Sequence, residues 1–140
     1  LTDATAALPT PLDDRYADEA PPPGLMPGTV RGARLIALVA TLVGMVLIVL
    51  TVALGTDGSL GTLVAGYLPS LALAPLSLLF GRGGDRVRQA AVALAALAAL
   101  VSSTGILTGL PPGAVGIVAN GAILALLLRP SAKAWFTRER

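Results

Sequence analysis

The stretch ARLIALVATLVGMVLIVLTVAL, residues 33–54, decides the fold. It holds thirteen Leu, Ile or Val residues and, after Arg34, no ionisable group. A helix needs about 20 such residues to cross about 30 Å of hydrocarbon. At about −0.3 to −0.6 kcal/mol per residue, the thirteen favour insertion by roughly 5 kcal/mol. The run is too long, and what precedes it too acidic, for a cleavable signal peptide with an apolar region of about 7–15 residues. It is expected to persist as a signal-anchor.

Outward from this span, the 140-residue chain is 54% hydrophobic and 13% charged, against about 45–50% and about 25% for soluble domains. Residues 1–30 carry a net −4 and six of the eleven prolines, and residues 31–140 a net +6. The first segment lacks the hydrophobicity to offset the entropy of ordering a backbone and is expected to be a disordered tail. Its run Pro21–Pro23 is a candidate recognition element; composition reads it as linker.

Three further spans follow at 59–80, 87–107 and 112–128. The second contains Pro69 and Pro75, each of which removes a backbone hydrogen bond and bends a helix, leaving carbonyls for neighbours to satisfy. Gly55-Thr56-Asp57-Gly58 is expected as the tight turn before it, with Ser59 as a helix cap. The third has seven alanines between Ala90 and Ala99, then Ser102, Ser103 and Thr104. Alanine inserts near neutrally, so this helix depends on its neighbours. The fourth is short for a bilayer, so thinning or protein contact has to help it. The fold class is therefore all-α: a four-transmembrane-helix up-down bundle over 31–136, behind a disordered tail and ahead of a basic interfacial segment, 129–140.

Charge sets the orientation. Arg31 and Arg34 precede the first span, Arg82, Arg86 and Arg88 separate the second and third, and Arg129, Lys133, Arg138 and Arg140 follow the fourth. The other two loops have no Lys or Arg. The positive-inside rule then puts both termini in the cytoplasm of a multi-pass inner (plasma) membrane protein. Short loops make successive helices antiparallel neighbours. Basic residues beside apolar spans suit anionic lipid headgroups and set nucleic acid aside. Arg31, Arg34, Arg82, Arg86, Arg88, Arg129, Lys133, Trp135 and Phe136 are expected as interfacial anchors, with the two aromatic rings at headgroup level.

The chain has no Cys and no His, which removes disulfides, thiolate chemistry, most zinc sites and the commonest general base. No span core holds an ionisable group, against expectation for a proton relay, voltage sensor or carboxylate-lined path. Asp57 and Asp85 fall on opposite sides of the membrane, so no paired acid–base set forms. Neither enzyme, cofactor nor metal is expected.

What remains are packing and cavity candidates. Asn120, the lone amide in a span core, reads as interhelical glue or as the lining of a polar cavity. Tyr67 with Pro69 and Pro75 reads as a kinked, well-packed helix or as a discontinuous helix around a ligand. Ser102, Ser103 and Thr104 either face a substrate or bond back to their own helix. Small-residue pairs, Ala40 with Gly44, Gly105 with Gly109, and the series Ala91, Ala95 and Ala99, suit close helix approach.

At Leu127-Leu128-Arg129-Pro130-Ser131-Ala132-Lys133-Ala134-Trp135-Phe136 the chain resembles the small four-helix membrane proteins of unknown function common in high-GC actinobacteria. Those often end their fourth helix in Arg-Pro-x-Ala-x-x-Trp-Phe. The likeness covers 28–136 in layout and 127–136 in residues; it implies topology and a bacterial inner membrane, and no activity. The expected role is a non-catalytic accessory subunit or helix–helix interaction protein, partnered by another membrane protein or itself. The alternative is a transport or channel component for an apolar or neutral solute.

Overall fold

The computed structural model describes residues 24–55 and 57–138, and among them every regular element is helical. Helix α1 spans Gly28–Ala53, α2 Asp57–Leu78, α3 Asp85–Thr108, α4 Gly113–Leu127 and α5 Pro130–Thr137, with a turn of 3-10 helix at Leu79–Gly81. Each of the first four packs on its neighbours in sequence, and α4 returns against α1 to close the bundle. The acidic segment expected to be disordered lies outside the described residues as far as residue 23. Its last residues are helical: α1 starts at Gly28, with the Pro27 carbonyl accepting from Val30 and Arg31 N–H.

Three helical stretches are long and apolar enough to cross a membrane: Gly28–Ala53, Leu60–Gly81 and Asp85–Thr108. The fourth span expected at 112–128 is a helix of 15 residues, about 22 Å long. It qualifies only together with α5, from which it is bent by 64°. The bend follows from Arg129, which is extended (φ −63°, ψ 146°) as the residue before a proline prefers, and Pro130 then opens α5. The turn expected at 55–58 is also shorter. Leu54 and Gly55 turn, with Gly55 at φ +67°, Thr56 lies outside the described residues, and Asp57 and Gly58 already belong to α2.

The buried positions explain the packing. They run Ala91, Ala95, Ala98, Ser102, Gly105 on α3 and Gly116, Asn120, Ile123, Leu127 on α4. On α1 they are Val30, Ala33, Ala37, Thr41 and Gly44. Steps of three and four give a period near 3.5, the seam of antiparallel bundles. The α3 seam therefore passes through Ala98, and Ala99 from the expected i+4 series is half-buried. Outside the seams, Leu35, Leu42, Val49, Leu100, Leu107 and Val118 are exposed over 62% to 88% of their surface, an arrangement that suits lipid and not water.

Small residues set how closely the helices meet. A Cβ on Gly105 would lie 2.5 Å from the Leu110 carbonyl oxygen and 3.0 Å from Gly113 N. One on Gly116 would collide with Ser102 Oγ, and one on Gly44 would lie 2.6 Å from the Tyr67 ring. Pro69 is buried and Pro75 exposed, and α2 is continuous through both. Across that region the Thr41 hydroxyl lies 2.9 Å from Ser70 O and 2.8 Å from Ala37 O, a shared donor tying α1 to α2.

One end of the bundle is closed by α5. Trp135 Nε1 donates to Phe80 O (2.9 Å), Gly84 N to Phe136 O (3.0 Å), and the Thr29 and Ser131 hydroxyls are 3.1 Å apart. The Phe80 and Phe136 rings meet edge to face at 5.5 Å. Trp135 is 7% and Phe136 1% exposed, so these rings, expected as headgroup anchors, instead plug the bundle. Arg138 lies over Trp135, its Cζ 3.2 Å from the ring centroid, where cation and ring face attract. Around this plug stand Arg31, Arg34, Arg82, Arg86, Arg88, Arg129 and Lys133. Asp85 opens α3 among them, favoured at a helix N-terminus, with its Oδ1 accepting from Arg88 Nε (3.0 Å).

Two stability outcomes follow. Gly105→Ala is expected to cost about 1–3 kcal/mol by overpacking against backbone. Gly121→Ala, whose Cβ would meet nothing within 4 Å, should be neutral or up to about 1 kcal/mol stabilising through helix propensity. Denaturation midpoints of the purified chain in micelles measure both; equal losses would deny the close α3–α4 approach. In the same assay Trp135→Phe should cost about 1 kcal/mol for its hydrogen bond, and Trp135→Ala about 3–5 kcal/mol.

Candidate functional site

Helix α4 lies against α3 at glycine contacts and packs against α1 on its other flank. At the basic end α1 and α4 do meet, since a Cβ on Gly32 would lie 3.3 Å from Leu126 Cδ1. Further along, the two helices part around a crevice of about 300 Å³. Helix α1 contributes Leu35, Ile36, Val39, Ala40 and Val43; α2, forming the back, contributes Tyr67 and Ser70; Pro112, Val115, Gly116, Ala119 and Asn120 line the α4 side. Small side chains at Ala40, Gly116 and Ala119 are what leave the space.

The crevice opens sideways. Ile36, Val115 and Ala119 also line a shallower groove on the outer surface, continued by Ala114, Val118 and Ala122. Every side chain of that groove is apolar. Its mouth therefore faces where lipid chains would lie.

Asn120 is the polar feature of the site. Its residue is 2% exposed, and Nδ2 donates to Gly116 O at 2.8 Å, one turn back in the same helix. Oδ1 is buried with no hydrogen-bond partner. The amide thus bonds within α4 and does not bridge helices, as the glue reading would require. An unpaired buried acceptor costs about 1–3 kcal/mol, and buried polar atoms normally find a partner. Tyr67 is brought to the crevice by Gly44, whose missing side chain leaves room for the ring. Ser70 stands one residue beyond Pro69.

The other candidates disperse. Ser102 donates to Ala98 O (2.7 Å), Ser103 to Leu100 O (2.6 Å) and Thr104 to Val101 O (2.7 Å). All three hydroxyls are thereby committed to α3. Pro75 faces outward, away from the crevice. Ala91 and Ala95 lie in the bundle seam, covered by this chain's own helices, and Ala99 is half-buried beside it. Asp57 and Asp85 begin α2 and α3, so the 22 residues of α2 separate them, about 33 Å. Among the described residues no group of three His, Cys, Asp or Glu could hold a metal ion.

Sequence reasoning singled out Tyr67 and Asn120, and Ala40 only as a packing residue; it missed the rest of the α1 wall and Gly116, and Pro69, also singled out, does not line the crevice. One local signal was available: Gly116 precedes Asn120 by four residues, placing a bare backbone and an amide on one helical face. The gap beside them depends on how far α1 stands away, which no local pattern contains.

Asn120→Leu separates the roles of this residue. It removes the orphaned acceptor and restores an apolar surface of similar volume, so stability should be unchanged or raised by up to about 2 kcal/mol. A helix-bridging amide would give a loss instead. Micelle denaturation midpoints distinguish the two.

Comparison with family models, with curated proteins and with solved structures finds no match to this chain.

Proposed function

We propose that this chain is a non-catalytic integral membrane protein that takes a neutral, largely apolar molecule sideways from the bilayer and holds it between α1 and α4. The observation that carries this reading is the crevice itself. It is apolar on nearly every side, shares Ile36, Val115 and Ala119 with a groove on the outer surface, and is lined by Asn120, whose Oδ1 is buried without a partner. Ligand sites typically enclose about 300–1,000 Å³ with apolar walls and few polar groups. Cargo of this kind accords with a transport or carrier component.

The basic end is the cytoplasmic one in this proposal. Arg31, Arg34, Arg82, Arg86, Arg88, Arg129, Lys133 and Arg138 gather there around α5, and the opposite loops have no Lys or Arg. The positive-inside rule supports this orientation, and these side chains would meet anionic headgroups. A bacterial inner membrane accords with the Arg-Pro-x-Ala-x-x-Trp-Phe segment.

A second reading, an accessory subunit or self-associating helix bundle, draws on the long outer face of α1, exposed from Leu35 to Leu54. The small-residue seam of α3, which suited such contacts, is occupied within the chain.

The test is purification of the full chain in mild detergent, followed by organic extraction and mass spectrometry of bound small molecules. Wild type should retain a neutral apolar compound that Ala119→Phe, which fills the crevice from α4, releases at least tenfold. Equal retention by both proteins would deny the crevice its role. A stoichiometric membrane protein co-purifying with both, and no small molecule with either, would transfer the conclusion to the accessory reading.

A further inference from the structure

The polarity of the single unpaired atom restricts what the crevice can hold. Asn120 Nδ2 is occupied by Gly116 O, and Oδ1 can only accept. A ketone, ether or ester would set lone pair against lone pair at this point. A hydroxyl would donate to it.

We infer that the crevice selects an uncharged alcohol or phenol, whose O–H donates to Asn120 Oδ1 while its apolar body lies along α1. This inference rests on the crevice being a binding site. Charge is excluded by the lining, which has no carboxylate to meet a cation and no basic group to meet an anion. Depth narrows the class further. Asn120 is the eighth of the fifteen residues of α4, about 11 Å from either end. A phospholipid keeps its donors at the interface, so the occupant is a molecule that dissolves whole in hydrocarbon. Size completes the description. A cavity of about 150 Å³ accommodates benzene, so about 300 Å³ suits one or two rings or a branched chain of similar bulk. Oδ1 is shielded from contact with a water-sized sphere, so the packing around it must give way as the hydroxyl arrives.

The test uses the full chain in lipid nanodiscs with β-naphthol and its methyl ether, two probes alike in rings and differing in the donor. Binding is read from probe fluorescence, with Ala119→Phe nanodiscs as the measure of partition into lipid. Wild type should bind the naphthol about tenfold more tightly than the ether, the worth of one buried hydrogen bond. In Asn120→Leu the ratio should fall to within about twofold with binding of the ether retained. Equal affinity of wild type for both probes, abolished by Ala119→Phe, overturns the selection of a hydroxyl and leaves the crevice as a binding site. Absence of any binding beyond the Ala119→Phe background overturns both. A preference for naphthol that survives in Asn120→Leu overturns Asn120 as its source.

Discussion

The structure depends on helix backbones coming close enough to touch. In hydrocarbon a leucine gains little by leaving lipid for protein, so the hydrophobic effect does not hold such a bundle together. Dispersion contacts between closely packed surfaces have to do so, and these fade over fractions of an ångström. Gly105 against the Leu110 carbonyl, Gly116 against Ser102, and Gly44 against the Tyr67 ring are where this chain makes that approach. The alanine seam of α3 extends the same logic along its length.

Helix α4 has only 15 residues and is held to α3 by glycine contacts and to α1 by Leu126 against Gly32. Between that contact and Pro112 the small side chains of Ala40, Gly116 and Ala119 leave the crevice between the two helices. Its one polar group then sits in a place where polarity is expensive. A stable core would place a leucine at 120, so an amide with an orphaned oxygen is the feature that directs attention there.

Helix α5 answers a different demand. A bundle that ends at the membrane surface exposes the carbonyls of its last turns and the N–H groups of its first. Trp135 reaches back to Phe80 O, and the Phe136 carbonyl accepts from Gly84 N just before α3. The aromatic rings thereby close the bundle with an apolar plug, and the arginines remain around its rim. The same composition, a basic segment with Trp and Phe, would also describe an anchor lying in the headgroups. Two hydrogen bonds and an edge-to-face pair decide for the plug.

From the sequence alone came the helical class, the apolar stretches, the breaks between them and the gathering of positive charge at one end. These are properties of local composition and period: a run such as 33–54 is apolar whatever surrounds it, and Gly55, Gly109 and Pro130 interrupt helices by their own geometry. Tyr67 and Asn120 were also visible, because a polar group in an apolar span stands out by contrast. Only the tertiary structure decided which small residues form the seam, so that Ala98 and not Ala99 faces inward, and that Asn120 bonds to its own helix. It also decided that Trp135 and Phe136 turn toward Phe80, that Pro75 faces out, and that α1 and α4 separate around a cavity. Each of these is fixed by the rotation and spacing of one helix against another, and those arise from contacts between residues up to 102 positions apart, as at Thr29 and Ser131.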